Sequence, residues 1–517
     1  MKPSPRRRSA LVLVAFTAAC ASSETVAPDD AGAPIVEASS SDVTDAKPRP
    51  DAAPTCADGA MNGTETDVDC GGACAKCDDG KTCKAGADCR EGACLLGHCG
   101  QTAWFSESTG ANVPLPADQT WVSSPGLELA LTLYDTATIH VRFTGTSRFG
   151  GVAGGICHIG QRIVVDGKPT GHPTWGNAIL VQRGDLRSHE TFDSELTITL
   201  PKGAHQIAGQ ANNGSSLCYL DGDGGQRYDR SRIAATAFDP ATAWSAESTA
   251  ATGSLVAGAG WMAIPGVAIS AKLATPSHVQ LSLSGTQLSQ GTSVAHCGYR
   301  FVIDGTPLGN PTHGQAIVVG DIGSGWWAPV VLSYGVDLAA GPHTISAEAT
   351  NSAATGGTCN LGEGNNDYAK VRLFASATPQ GGPNVSVESS GASNVLGTGS
   401  VWTPVSGLSA PITLASDTNV LLELSATQRN VTGSGHCAWR FVIDGTPLGQ
   451  TDHGQALNVG DGTYTWWNAA ALLWGQSLKA GAHTIGVDVR NSSSSGDCGT
   501  NADPEAYGRA RLLVRVP

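Results

Sequence analysis

Three stretches of the chain alternate apolar with polar side chains: Thr138-Ile-His-Val-Arg-Phe-Thr144, His278-Val-Gln-Leu-Ser-Leu-Ser284 and Asn419-Val-Leu-Leu-Glu-Leu-Ser425. A period of two sends successive side chains to opposite faces of a pleated strand, so one face meets a core and the other meets water. Downstream of each comes a run ending in Asp-Gly: Arg162 to Gly167, Arg300 to Gly305 and Arg440 to Gly445. Asp-Gly tolerates the positive φ of a tight turn, which makes these strand-into-hairpin signals. No long stretch carries a convincing helical period. Short strands with Gly-rich turns predict antiparallel β-sandwiches of jelly-roll type.

The pattern recurs every 140 residues or so, and the recurrence extends well beyond the strands. Nine residues after Asp166, Asp304 and Asp444 stand Trp175, His313 and His453, each followed by Gly-Asn-Ala or Gly-Gln-Ala. A third block holds His205, His343 and His483, each before a polar residue and Ile. Each copy opens with an acidic strand residue (Glu107, Glu247, Glu388) followed by Trp121, Trp261 or Trp402. Each closes on Tyr228 to Arg232, Tyr368 to Arg372 or Tyr507 to Arg511. Three tandem copies follow, at 101–240, 241–378 and 379–517.

Each copy holds two cysteines, so Cys157 is expected to pair with Cys218, Cys297 with Cys359 and Cys437 with Cys498. Closing loops of this length stabilises by roughly 4 kcal/mol on a chain-entropy estimate. Eight more cysteines fall within residues 56–100, too short a segment to build a core unaided. In an exported chain that density means a disulfide module whose connectivity stays open. Cys74 and Cys77 have the spacing of half a zinc site, but disulfides fit the oxidising setting better.

The fifteenth cysteine, Cys20, lies in the leader. Lys2 and Arg6 to Arg8 form a basic n-region, Ser9 to Phe16 an apolar segment too short to span a bilayer, and Thr17 to Ala19 a run of small residues. The small residues before Cys20 resemble a bacterial lipobox, although Thr17 stands where that pattern usually has Leu. The resemblance implies a signal peptide over 1–19 and a lipid on Cys20; the alternative is cleavage near Ala18-Ala19 and release of a soluble protein. Residues 20–55, rich in Ala, Ser, Pro and Asp, read as a disordered tether. The expected location is the outer membrane or cell surface, with the membrane a partner only through the lipid.

A net charge of −14 disfavours nucleic acid as a partner. It is compatible with a cation or a neutral polymer. Asp58, Asn62, Glu65, Asp67 and Asp69 alternate oxygen-bearing side chains around glycines, a composition suited to calcium, although the spacing is not that of an EF-hand. Calcium is the one cofactor suggested. The string from Cys56 to Cys99, with its core "NGTETDVDCGGACAKC", resembles the Cys-rich module of exported proteins of myxobacteria and their relatives. That resemblance implies an exported location and assigns no activity.

The repeated Asp, His and Arg residues suggest catalysis at first sight. Their presence in all three copies favours structural roles, with the Asp in a turn, the His bonded to a backbone carbonyl and Arg162, Arg300 and Arg440 paired to a carboxylate on a neighbouring strand. The Trp326-Trp327 and Trp466-Trp467 pairs, replaced in copy 1 near His189 to Phe192, are candidate ligand platforms together with His313 and His453. No nucleophile elbow, zinc-protease helix or phosphate loop is found. The sequence therefore predicts a non-catalytic surface lipoprotein whose repeats bind a glycan or a surface protein. The alternatives are a structural spacer and, further off, a secreted hydrolase, which would need a cleft with converging carboxylates.

Overall fold

The computed structural model describes residues 56–516, except 110–111, 151–154, 184–188, 216, 222–227, 229, 250–252, 292, 321–322, 355, 362–366, 391–393, 431–434, 461–465 and 501–505. The leader, Cys20 and the tether lie outside the described residues. The fold is all-β, with antiparallel sheets throughout the repeats.

Each copy is a sandwich of two sheets. In copy 1 the first sheet centres on Ala137–Phe149, flanked by Arg232–Phe238 and then Ala103–Glu107 on one side and by His189–Leu200 on the other. The second sheet runs Val122–Leu133, Gly203–Asn213, Ile156–Val165. The Asp-Gly turns occur as read, with Asp166, Asp304 and Asp444 at φ 50°, 49° and 49° and a left-handed Gly after each. The expected bonds Cys157–Cys218, Cys297–Cys359 and Cys437–Cys498 are present. In the small module the pairs are Cys56–Cys74, Cys70–Cys77, Cys83–Cys94 and Cys89–Cys99, so both thiols of the suggested zinc half-site are in disulfides.

The two sheets of a copy differ in what covers them. Val122–Leu133 alternates buried with exposed side chains, as a half-solvated strand should. Ala137–Phe149 is buried on both faces, and so is nearly all of Ser277–Gly291. The expectation that the polar face of these strands meets water is thus corrected: it meets the other copies. Arg372 donates to the carbonyl of Asn177, Arg511 to that of Gln315 and Arg232 to that of Gln455, each at 2.8 Å. These bonds join copy 2 to 1, copy 3 to 2 and copy 1 to 3. The repeats therefore close into a ring with approximate threefold symmetry.

At the centre of the ring, Arg142, Ser282 and Glu423 occupy one equivalent position in the three copies, as their strand registers show. Arg142 reaches Glu423 at 2.7 Å, Asp193 at 3.0 Å and Glu195 at 3.1 Å. Arg515 bonds the other Glu423 oxygen at 2.7 Å, and Ser282 donates to Glu195 at 3.0 Å. All of these groups are buried. Burial opposes the Glu423 charge, but Arg515 and Arg142 outweigh it and hold the carboxyl down at about 2. Burial raises Asp193 and Glu195, which face a single guanidinium between them.

Candidate functional site

The repeated Asp and His form one clip per copy. His205, His343 and His483 bond Asp166, Asp304 and Asp444 through Nδ1 at 2.8, 2.7 and 2.7 Å. Nε2 faces the carbonyl of Pro201, Ala339 or Lys479. Both partners are acceptors, which requires a proton on each ring nitrogen. The Asp304 and Asp444 bonds raise His343 and His483; around His205 burial opposes the charge most strongly, yet the net direction is still upward. With both nitrogens engaged, the ring cannot serve as a base for a substrate. The geometry fastens a hairpin.

Arg162, Arg300 and Arg440 lie over Trp121, Trp261 and Trp402, with guanidinium-to-ring distances of 4.1, 4.0 and 4.2 Å. Arg300 and Arg440 also pair with Glu348 and Asp488, as expected, whereas Arg162 bonds Gln210, an amide in place of a carboxylate. Each indole N–H donates to a loop carbonyl, of Pro173, Pro311 or Thr451. The result is a half-buried aromatic–cation pair repeated once per copy.

Of the residues singled out as ligand platforms, Trp327, Trp467, His313 and His453 fall at the seams between copies. Trp327 packs on Tyr368, which packs on His172 of copy 1. Trp467 packs on Tyr507, which packs on His313 of copy 2. His453 packs on Tyr228 of copy 1, against which His189 stands where the other copies have the Trp. His313 and His453 each also bond a serine of their own copy, Ser352 at 2.7 Å and Ser492 at 2.8 Å. The side chains of Trp326 and Trp466 lie outside the described residues.

The acidic loop spends its oxygens on its own backbone. Asp69 accepts from the backbone amides of Asp58 and Gly59, Asp58 from the backbone amide of Ala60 and the side-chain amide of Asn62, and Glu65 from the backbone amide of Asn62. Asp67 accepts from the Thr82 amide, which lowers its carboxyl to about 2. These bonds tie the loop to itself and to Thr82.

Sequence reasoning missed the cleft between copies 1 and 2, a cavity of about 210 Å³ lined by Glu195, Leu196, Thr197, Ser245, Ala246, Glu247, Arg372 and its neighbours. Glu195 is only 2% exposed, and burial pushes its carboxyl up to about 8. Glu247 is bound by Lys370 and, at 2.8 Å, by Arg372. The recurrence of Glu247 and Arg372 in every copy was visible in the sequence; that Glu195 faces them across a seam was not.

No protein-family model matches the sequence, and no curated protein matches it. Among solved structures the chain is similar to PNGF-II at 10% identity, covering 70% of this chain and 99% of that one with a TM-score of 0.22. It is similar to the insecticidal delta-endotoxin Cry8Ea1 of Bacillus thuringiensis at 10% identity, covering 75% and 53% of the two chains with a TM-score of 0.16. A tandem CBM22 domain pair of Paenibacillus barcinonensis Xyn10C is 9% identical, covering 53% and 87%, with a TM-score of 0.13. At these TM-scores the likenesses carry no argument about function.

Proposed function

We propose that the protein is a non-catalytic surface lipoprotein whose three sandwiches act together as one rigid binding head, carried outward by the tether and the disulfide module. The observation that carries this reading is the closed ring. Copy 1 bonds copy 3 as directly as it bonds copy 2, so the repeats do not form an extended rod. A ring hides the inner sheets and leaves three half-solvated outer sheets, each with the same Trp–Arg pair. Three copies of one surface on a rigid frame favour a multivalent partner such as a polysaccharide or an envelope protein, because the second and third contacts then form at high effective concentration.

Hydrolysis is the weaker reading. A cleft with two carboxylates exists, but Glu247 is bound by two cations and Glu195 by Arg142 and Ser282. A structural envelope role is favoured by one specific observation: Trp327 and Trp467 are packed at seams. The test is to measure retention of the full chain on immobilised polysaccharides and on isolated cell envelopes, with stoichiometry. Saturable binding with about three equivalent contacts per chain supports the head. Absence of binding to both materials overturns it in favour of the structural role.

A further inference from the structure

We propose that the cleft between copies 1 and 2, walled by Glu195 and Thr197 on one side and by Ser245 and Glu247 on the other, is a binding site for a single neutral sugar ring. The argument begins with quasi-equivalence. By strand register, Leu196, Tyr334 and Trp474 are equivalent, as are Thr197, Gly335 and Gly475, and so are Phe105, Ser245 and Ser386. In the seam between copies 3 and 1 the chain fills the space itself. The Phe105 ring packs against Trp474 with centroids 5.2 Å apart, close enough to Gly475 that a Cβ there would stand 2.4 Å from Phe105. The seam geometry thus accommodates a six-membered ring. Between copies 1 and 2 both aromatic rings are missing, because Ser245 stands where Phe105 does and Leu196 where Trp474 and Tyr334 do, and the cleft of about 210 Å³ remains.

The chemistry of the lining selects the occupant. The cavity is smaller than the 300–1,000 Å³ usual for drug-sized ligands, so it takes one ring and not an extended chain. Leu196, Ala246, Leu373 and Phe374 supply an apolar side; Glu195, Thr197, Ser245 and Glu247 supply hydroxyl and carboxyl groups. Glu195 closes the inner end of the cleft, where Arg142 and Ser282 bond its two oxygens and burial favours its protonated form. Glu247 is neutralised by Lys370 and Arg372. With the charges of Glu247, Lys370 and Arg372 engaged with one another and apolar carbons alongside, the cleft suits a neutral pyranose better than an anion or an amine. The seam between copies 2 and 3 provides an internal contrast. Its cavity is about 40 Å³, and it carries Ser333 where the first seam has Glu195.

The site is separate from the outer Trp–Arg faces, and its test separates them too. The full chain is titrated, by ligand-observed NMR, with methyl glycosides of glucose, galactose, mannose and N-acetylglucosamine. At least one is expected to bind. Ser245→Phe, which installs the residue used in the third seam, should weaken that binding at least tenfold with the melting temperature kept or raised. Thr197→Leu, which narrows the cleft from the opposite wall without an aromatic ring, should weaken it too. Ser386→Phe in the second seam should leave it unchanged. Equal binding by parent and by folded Ser245→Phe or Thr197→Leu overturns the site. Lack of binding of all four probes by the parent at about 10 mM overturns the ligand class. Either result leaves polysaccharide retention by the outer faces to be judged on its own.

Discussion

The His–Asp clips make a definite statement about pH at the level of single residues. His205, His343 and His483 have raised folded-state values, so their contribution to stability is complete below the unfolded value near 6.5 and is lost as pH rises through the folded value. Asp166, Asp304 and Asp444 are lowered, so their contribution is present above about 4 and is lost as pH falls through the folded value. Stability from the clips therefore peaks in mildly acidic solution. Replacing all three aspartates by Asn keeps residues that tolerate the left-handed turn while removing the charge. The melting temperature of that variant should lose much of its fall between pH 6 and 8, at a cost of about 1 kcal/mol per clip because the carboxylates are half exposed. A pH series of melting curves decides it: an unaltered slope would remove the clips as its cause. Glu423 is a harsher case. Truncating it to Ala leaves Arg142 and Arg515 buried beside too little negative charge and should cost about 3–5 kcal/mol, measurable by urea unfolding.

Among the elements, the inner strands show where sequence reading stops. Alternation located Ala137–Phe149 and its two counterparts, and Asp-Gly located the hairpins. The same alternation made His140 and Arg142 look like a watered face. Both are buried, and His140, stacked on Phe374 of copy 2, is lowered by burial to about 3. Nothing in the period of a strand distinguishes water from a neighbouring copy as the cover of its polar side; only a count of partners across the ring does. The period is equally silent about Trp327 and Trp467, which pack in seams, since a conspicuous aromatic is as useful in a seam as on a surface. The seams also carry a measurable energy. Phe105→Ser recreates in the third seam the residue found in the first two, and should cost about 2–3 kcal/mol, below the full range for a buried Phe because the ring is only partly covered. A loss under about 0.5 kcal/mol in chemical denaturation would show that Phe105 contributes no packing there.

The molecule as a whole should behave as one cooperative unit despite its threefold sequence. Each seam joins its neighbours through an Arg-to-carbonyl bond and a His–Tyr contact, and the central charges draw on all three copies. Calorimetry of the full chain should therefore give one transition for the three sandwiches, with calorimetric and van't Hoff enthalpies in agreement. Three resolved transitions would mean that the seams are too weak to couple the copies. Glu423→Ala, by loosening the centre, is expected to broaden or split that transition.

Arg142, Ser282 and Glu423 hold the same place with positive, neutral and negative side chains. Three identical copies of the first would set guanidiniums against one another, and three of the third would do the same with carboxylates. The repeats have become non-interchangeable, an ordered heterotrimer written on a single polypeptide. Its order has a sense of rotation. Moving the first copy to the end of the chain preserves every neighbour, whereas exchanging the second and third reverses the circuit and faces each seam with the wrong partner. A gene that gained or lost one such repeat by recombination would not lengthen or shorten the protein gracefully; it would break the circle.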